Sequence, residues 1–311
     1  MGARALVGTR YLADPALRAE YEREIAPRTV AALAKVLRGQ YPAVSGTRRP
    51  ERILDLGAGT GAARDALRRH FGTGPAIVEV DRVATGPEVR VADVSNPDSL
   101  GAVSGAERFD LVVAAHVLNE LFVDDAPARR VDRLSQLVRR WCERLLAPEG
   151  TLVLLEPALR ETSRVLLAVR DQVLAAGLYV AAPCFFTGPC PALRQERDWC
   201  HDSTNAESGR RIDFSYLVVR TVGEAASDPN LPNLPNLFRI VSDPLPEKGR
   251  LRLFACGLAG RQPVVRLNRN HSDANADLDR AVRGDVVRIT GTTSASDGLR
   301  VDAATSVARA S

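Results

Sequence analysis

The stretch Ile53-Leu54-Asp55-Leu56-Gly57-Ala58-Gly59-Thr60-Gly61 decides the fold of this chain. Its apolar start predicts a buried strand. The glycines that follow predict a sharp turn in which the backbone approaches a ligand where a Cβ would clash. We therefore predict a strand, a turn and a helix that bind a nucleotide-type cofactor. The turn alone does not exclude a dinucleotide, because Gly57 to Ala62 can also be fitted to a dinucleotide spacing.

Strands and helices alternate after this turn, which predicts a mainly parallel sheet with helices on both faces. The predicted helices are 62–71, 128–146 and 161–176. The predicted strands are 52–56, 76–80, 88–92, 109–115, 150–155, 214–220 and 250–256. We assign all seven strands to one sheet. Before it, residues 15–40 read as helix that Pro27 splits in two. After it, short strands near 264–268, 285–290 and 299–303 predict a small C-terminal β appendage.

Acidic residues stand at the ends of the first three predicted strands. Asp55 lies in the first strand, Asp81 closes the second about 20 residues past the turn, and Asp93 closes the third. Three carboxylates on one sheet edge favour S-adenosylmethionine, which is cationic at sulfur and amine, over a phosphate-bearing dinucleotide. Glu79 is the competing ribose ligand if the second strand ends two residues earlier.

The first strand and turn also resemble those of class I S-adenosylmethionine-dependent methyltransferases, a Rossmann-like α/β fold. The resemblance implies that Asp81 meets the ribose hydroxyls, Asp93 the adenine amino group and Asp55 the methionine amine through water. The predicted cofactor-binding set is Asp55, Gly57, Gly59, Gly61, Asp81 and Asp93.

Polar residues also follow the fourth strand, where such methyltransferases place groups that face the substrate. The candidates there are His116, Asn119 and Glu120. His116 or Glu120 is a candidate general base. The alternative is that Asn119 and Glu120 only cap the following helix. The catalytic residues therefore stay open.

Four of the five cysteines lie in one pattern: Cys184, Cys190, Cys200 and Cys256. Paired C-x2–4-C spacings, usual for zinc knuckles, are absent. Wide spacing with Cys190-Pro191 is closer to iron–sulfur cluster ligation. The alternatives are zinc held by three of the cysteines with His201, and unligated buried thiols, which suit three cysteines in a loop rich in Pro and Gly poorly. Cys142 reads as an unligated core thiol on an amphipathic helix.

The order of these motifs makes the resemblance more specific. They are Leu-Asp-Leu-Gly-Ala-Gly-Thr-Gly (54–61), Val-Leu-Asn-Glu-Leu (117–121), Leu-Leu-Glu-Pro (154–157), Ala-Pro-Cys (182–184), Gly-Pro-Cys-Pro (188–191), Asp-Trp-Cys-His (198–201) and Phe-Ser-Tyr-Leu-Val (214–218). The chain resembles the methyltransferase-like family of mitochondrial small-ribosomal-subunit assembly factors and its bacterial relatives. The resemblance implies S-adenosylmethionine binding, a [4Fe-4S] cluster on the four cysteines and association with small-subunit rRNA. One departure is Asp202, where an aromatic residue usually follows Cys-His.

We thus expect a helical region and linker in residues 1–50, a methyltransferase domain in 51–257 with a cysteine-rich insertion at 181–211, and the β appendage in 258–311. Composition is that of a globular chain, with 45% apolar residues and a net charge of +4 that permits nucleic acid as a partner. No apolar run reaches the ~20 residues of a membrane span. The start of the chain lacks a secretory h-region. We expect a cytoplasmic bacterial protein, or a mitochondrial one if eukaryotic.

Three functions stay open on the sequence. The first is an rRNA-associated methyltransferase-like protein, stapled by the cluster, whose Arg194, Arg197, Arg210 and Arg211 contact RNA phosphates. The second is a non-catalytic assembly factor with a vestigial cofactor pocket. The third is a small-molecule methyltransferase with a zinc-stapled lid.

Overall fold

The computed structural model describes residues 14–42, 48–104, 108–184, 186–221, 236–296 and 298–309. The first thirteen residues and part of the predicted 41–50 linker lie outside them. The chain divides into two compact units. The first contains residues 1–180 and 203–223, and the second contains 181–202 and 224–311. None of the helices in the described ranges is long and apolar enough to cross a bilayer.

The first unit is built on a sheet of the predicted class. Its strands are β1 (Arg52–Leu56), β2 (Ala76–Asp81), β3 (Val89–Val91), β4 (Phe109–Ala115), β5 (Leu146–Pro157), β6 (Tyr179–Ala182), β7 (Asp202–Asn205) and β8 (Arg211–Arg220). The order is β3-β2-β1-β4-β5-β8-β6, and β7 pairs with β8. Strands β1 to β5 run parallel, whereas β8 is antiparallel to β5. This is the mixed seven-stranded sheet of class I methyltransferases, with β7 added.

The helices of this unit follow the prediction except for α4, which the sequence analysis does not predict. They are α1 (Pro15–Glu24), α2 (Ala26–Gln40), α3 (Ala62–Phe71), α4 (Pro97–Ser104), α5 (Pro127–Leu145) and α6 (Arg160–Ala175). The break between α1 and α2 falls at Ile25, which leaves Pro27 in the first turn of α2, where its missing N–H costs no hydrogen bond. Helix α5 buries one apolar stripe, with Trp141 fully enclosed in the core.

One predicted strand belongs to a different sheet. Residues 250–256 were expected as the seventh strand, but they form β11 (Arg250–Gly257) in the second unit, and β6 takes the seventh place. Strand β11 is antiparallel to β12 (Gly260–Leu267), and the turn joins Gly257 to Gly260. Burial alternates along the second half of β11, whereas β4 is almost wholly buried. A period of two marks a strand with two different faces, which is typical of an antiparallel hairpin.

The second unit is larger than the predicted small appendage. Besides β11 and β12 its sheet contains β9 (Leu237–Ile240), β10 (Leu245–Glu247), β13 (Val286–Thr290), β14 (Thr293–Ala295), β15 (Gly298–Val301) and β16 (Ser306–Arg309). A short helix, α7 (Asp277–Arg280), contributes Leu278 to its apolar core. Residues 181–202, which contain three cysteines, group with this sheet. The predicted boundary at residue 257 depended on the wrong assignment of β11.

Candidate functional site

A cleft opens in the first unit at the carboxyl ends of β1, β2 and β4. Six of the predicted site residues line it: Gly57, Gly59, Asp81, Asp93, His116 and Glu120. Three others do not line it, namely Asp55, Gly61 and Asn119. Gly61 instead caps α3 in a left-handed conformation. The edge of the sheet therefore brings together most, but not all, of the residues that the sequence singled out.

The glycine turn is fixed to the end of β2. Gly57 and Ala58 donate their N–H groups to the carbonyl of Val80, and Gly59 donates to Asp81 Oδ2 at 2.9 Å. Val83 donates to the other oxygen, Oδ1, at 3.0 Å. A Cβ on Gly57 would lie 2.5 Å from Val117 Cγ2 at a φ of +73°, so only glycine fits there. Asp81 is thus held at the cleft by two backbone donors.

The competing carboxylate, Glu79, is occupied elsewhere. Both of its oxygens lie 3.3 Å from Arg64 Nη1, and its side chain is almost fully buried. Because strand β2 continues to Asp81, Glu79 precedes the strand end by two residues. This arrangement favours Asp81 as the carboxylate that faces a ligand.

Asp55 is the most unusual group near the cleft. It is completely buried, and none of the described residues donates to either carboxylate oxygen with hydrogen-bond geometry, although the Arg64 N–H is close enough to lower its pKa slightly. Burial, followed by the charges of Glu79 and Asp81, raises the pKa of Asp55 to about 8. A buried carboxylate without a donor is costly. Its surroundings fit a cationic or hydrogen-bond-donating ligand.

The loop after β4 is locked by a second buried carboxyl group. Glu156 Oε1 accepts the Leu118 N–H at 2.8 Å, and burial raises the pKa of Glu156 to about 8. With its amide oriented to satisfy both neighbours, Asn119 Nδ2 donates to Glu156 Oε2 at 3.0 Å and to the His116 carbonyl at 2.7 Å. The next helix begins only at Pro127, so Asn119 does not cap it. Its amide instead joins the loop to Glu156 and to the His116 carbonyl.

His116 is held in a strained position at the cleft. Its φ is +60°, in the left-handed region that non-glycine residues rarely adopt. Its Nε2 lies 3.0 Å from Thr29 Oγ1, and burial lowers its pKa to about 4. The imidazole is therefore neutral at pH 7. Glu120, the other candidate base, is 3.1 Å from Arg82 Nη2 at the rim of the cleft.

Two residues of the predicted 15–40 helical region also belong to this site, although no motif in the sequence predicts a functional role for them. Tyr21 of α1 lines the cleft, and Thr29 of α2 contacts His116. Burial, with the nearby charges of Glu120 and Asp81, raises the pKa of Tyr21. No local pattern in the sequence marks either residue, because only tertiary packing brings them to the site.

The cysteines divide as the sequence indicated. Cys142 lies in the core, and burial raises its pKa to about 12. The other four all lie in the second unit, and no disulfide joins any of the five, each of which is among the described residues. Among all the residues that the structure describes, no three His, Cys, Asp or Glu side chains form a group arranged to hold a metal ion. The four-cysteine site therefore stays a prediction.

The segments that carry these cysteines nevertheless run side by side. Cys256 in β11 is paired with Arg239 in β9, and Arg239 Nη1 lies 3.4 Å from Cys200 Sγ. On its other side Cys256 is paired with Arg261 of β12, whose Nη1 donates to Asp198 Oδ2 at 2.9 Å. Asp198 precedes Cys200 by two residues.

Cys190 and Cys184 approach the same hairpin through their neighbours. Pro191 Cγ lies 3.1 Å from the position of a Cβ on Gly260, which pairs with Gly257 beside Cys256. The Phe186 ring, two residues after Cys184, lies 4.0 Å from the same point. Segments that contain all four cysteines therefore approach the turn end of the β11–β12 hairpin.

Comparison with known proteins identifies a family and a set of similar folds. The sequence model of the family described as "Mitochondrial small ribosomal subunit Rsm22" matches residues 18–224. The search of curated proteins gives no significant match.

Among solved structures, the N-methyltransferase NodS from Bradyrhizobium japonicum with S-adenosylhomocysteine is 17% identical, with a TM-score of 0.42, over 69% of this chain and 96% of its own. The plantazolicin methyltransferase BpumL with the same ligand is 11% identical, with a TM-score of 0.41, over 68% and 92%. Aeropyrum pernix fibrillarin with natively bound S-adenosylmethionine is 14% identical, with a TM-score of 0.37, over 62% and 76%.

Proposed function

The chain belongs to the Rsm22 family of the mitochondrial small ribosomal subunit, and we propose on that premise that it is a methyltransferase-like protein that binds S-adenosylmethionine and small-subunit rRNA. The observation that carries the cofactor assignment is the Asp81 carboxylate, which the N–H groups of Gly59 and Val83 hold at the cleft beside the glycine turn. S-adenosylmethionine presents a sulfonium and an ammonium group, and when bound it supplies an activated methyl group. Asp81, Asp93 and the backbone at Gly57 and Gly59 would hold it with Asp55.

The cofactor assignment is tested by Asp81→Asn, with Asp110→Asn as the matched control. Asp110, near the opposite end of the sheet, also accepts two backbone N–H groups, from Glu51 at 2.9 Å and Arg52 at 3.0 Å. We expect calorimetry to give at least about tenfold weaker S-adenosylhomocysteine binding for Asp81→Asn, since one lost charged hydrogen bond contributes about 1.5–3 kcal/mol. The control should bind as the wild type does. Equal affinities in all three proteins would contradict the assignment.

A specific observation also favours a non-catalytic role. The polar groups that follow β4 are engaged with the protein itself, because Asn119 binds Glu156 and His116 binds Thr29. A neutral His116 remains chemically able to accept a proton, which keeps methyl transfer in the proposal. Incubation of small-subunit rRNA with radiolabelled cofactor distinguishes the two. Label transfer that His116→Ala abolishes supports an enzyme, whereas cofactor binding without transfer supports an assembly factor with a retained pocket.

We further propose that Cys184, Cys190, Cys200 and Cys256 hold a [4Fe-4S] cluster that staples the second unit. The approach of their four segments to one hairpin supports this, as does the soft character of four thiolates. When bound, such a cluster contributes its binding energy to folding. Anaerobic purification should give about four irons and four acid-labile sulfides per chain for this cluster type. Stoichiometric zinc without sulfide would show that the cysteines hold zinc and not a cluster. That result would favour a small-molecule methyltransferase.

The partner follows from the family and from exposed cations. Arg194 and Arg197 are exposed next to Cys190 and Cys200, so an ordered cysteine segment presents them to solvent. We expect binding to small-subunit rRNA that weakens with salt, because phosphate contacts release counterions. Arg194→Ala with Arg197→Ala should reduce the slope of log affinity against log salt by about two. Salt-independent behaviour would contradict an RNA partner.

A further inference from the structure

A buried ion pair lies beside one of the proposed cluster ligands. Arg239 and Asp202 are 3% and 2% exposed, and Arg239 Nη2 lies 3.0 Å from Asp202 Oδ2. The same guanidinium places Nη1 3.4 Å from Cys200 Sγ. Arg239 is also the β9 residue paired with Cys256 in β11. One arginine therefore stands between two of the four cysteines and an acidic side chain.

Stability alone does not explain this pair. Removing two charges from water costs several kcal/mol, and well-packed apolar residues of the same volume are often equally stable or better. In this chain the acidic partner is Asp202, at the position where the family resemblance leads us to expect an aromatic residue. The carboxylate of Asp202 occupies the space that a side chain on Gly284 would need, so the surrounding backbone accommodates it. A charge here has a further consequence for the neighbouring sulfur.

We propose that Arg239, held in place by Asp202, is a positioning residue for the Cys200 sulfur and sets the charge around the cluster. The inference depends on the cluster proposed above. Hydrogen bonds to cluster sulfurs and the local net charge are two of the properties that set a reduction potential. Reduction of a bound cluster would add an electron, so the Arg239 cation would stabilise the reduced form and the Asp202 carboxylate would oppose it. The fixed fork of Arg239 also holds the thiolate toward its ligand position.

The two members of the pair can therefore be separated by the sign of their effects. In Arg239→Met the midpoint potential of the cluster should become more negative, because a cation and a hydrogen-bond donor to sulfur are lost. In Asp202→Asn, which retains the shape of the side chain, the potential should become more positive. Redox titration of the anaerobically purified full chain, followed by electron paramagnetic resonance of the reduced cluster, measures both. Arg239→Lys provides a milder variant if Arg239→Met does not fold.

The same unit offers a matched control pair. Arg266 is buried on the neighbouring strand β12 and donates through Nη1 to Asp279 Oδ2 at 2.8 Å and to Asn275. Arg266→Met and Asp279→Asn remove the same chemical groups from a site formed by carboxylate and amide partners. We expect them to lower stability and to leave the midpoint potential at its wild-type value.

Each outcome decides between the two proposals. Opposite shifts for Arg239→Met and Asp202→Asn, with unshifted controls, support the inference. Unchanged potentials, or shifts of the same sign, would overturn the proposed role of Arg239 but not the cluster. A pair that serves only packing would shift the midpoint potential of both variants in the same direction. Wild-type protein without iron and sulfide would overturn the cluster itself and the role of Arg239 with it.

Discussion

The cofactor cleft and the cysteine region differ in how their buried carboxyl groups are surrounded. Near the cleft, Asp55 is completely buried without a donor of hydrogen-bond geometry among the described residues, and burial, followed by the charges of Glu79 and Asp81, raises its pKa to about 8. In the second unit the buried carboxylate of Asp202 is matched by a buried arginine. A ligand site retains groups that are costly until the ligand arrives, whereas a structural region satisfies its groups within the chain. This contrast supports the separate roles that we propose for the two regions.

The largest effect should come from removing a cysteine of the second unit. Cys190→Ser should abolish iron binding and lower the melting temperature by about 10 °C, since loss of a structural metal site costs several kcal/mol and each corresponds to roughly 2–4 °C in a chain of this size. Cys142→Ser is the control, because Cys142 is also buried but lies in the core of the first unit. Iron content and calorimetry measure both variants. Full iron content in Cys190→Ser would contradict the staple.

The second prediction concerns Asp55, the fully buried carboxyl group beside the glycine turn. The pKa of Asp55 rises from 3.8 when unfolded to about 8 when folded, so the folded state binds its proton more tightly and stability falls as pH rises between these values. Relative to Asp55→Asn, the wild type should lose on the order of 5 kcal/mol of unfolding free energy between pH 4 and pH 8. The same variant should bind S-adenosylhomocysteine more weakly.

Denaturant titrations across that pH range provide the test. Glu156 is present in both proteins, so its own pH dependence cancels in the difference. Parallel stability curves for wild type and Asp55→Asn would mean that Asp55 is solvated or already compensated in the folded protein. The contrast between the two regions would then lose its main support.

The smallest expected effect comes from replacing a glycine. Two glycines allow the cost of backbone strain to be separated from the cost of a clash with Asp202. Gly284 and Gly249 both have positive φ, at +93° and +76°, but only at Gly284 would a Cβ meet Asp202. Gly249→Ala should cost about 1–2 kcal/mol, the usual penalty of a left-handed backbone. Gly284→Ala should cost more and should also lower iron content by displacing Asp202. Equal losses in both variants would mean that the carboxylate adapts without disturbing Cys200.

The sequence was sufficient to predict the strands that carry a continuous apolar run. The buried runs of β1, β4 and β5 and the glycine turn predict the parallel core, and the structure confirms them. The error at β11 arose because an alternating strand resembles any half-buried strand until its pairing partner is known. The hairpin signal at Gly257 and Gly260 was present but was not weighed against the expected seventh strand.

The site was predictable to the extent that it lies on strand ends. Parallel strands deliver Gly57, Asp81 and Asp93 to one edge, so spacing alone places them together. Tyr21 reaches the cleft from α1 through tertiary packing, which leaves no local pattern in the sequence. The Arg239–Asp202 pair likewise joins residues 37 positions apart, through a contact between their side chains.

The second unit is built from two separate segments of the chain, and this has a consequence for its synthesis. Cys184, Cys190 and Cys200 leave the ribosome well before Cys256, which follows Cys200 by 56 residues. At translation rates of 5–20 residues per second, three thiols wait about 3 to 11 seconds for the fourth and for the hairpin that presents it. During that interval they are open to oxidation or to the wrong metal. The cluster that we propose for these thiols would therefore require a reducing environment, or a protective carrier, during synthesis.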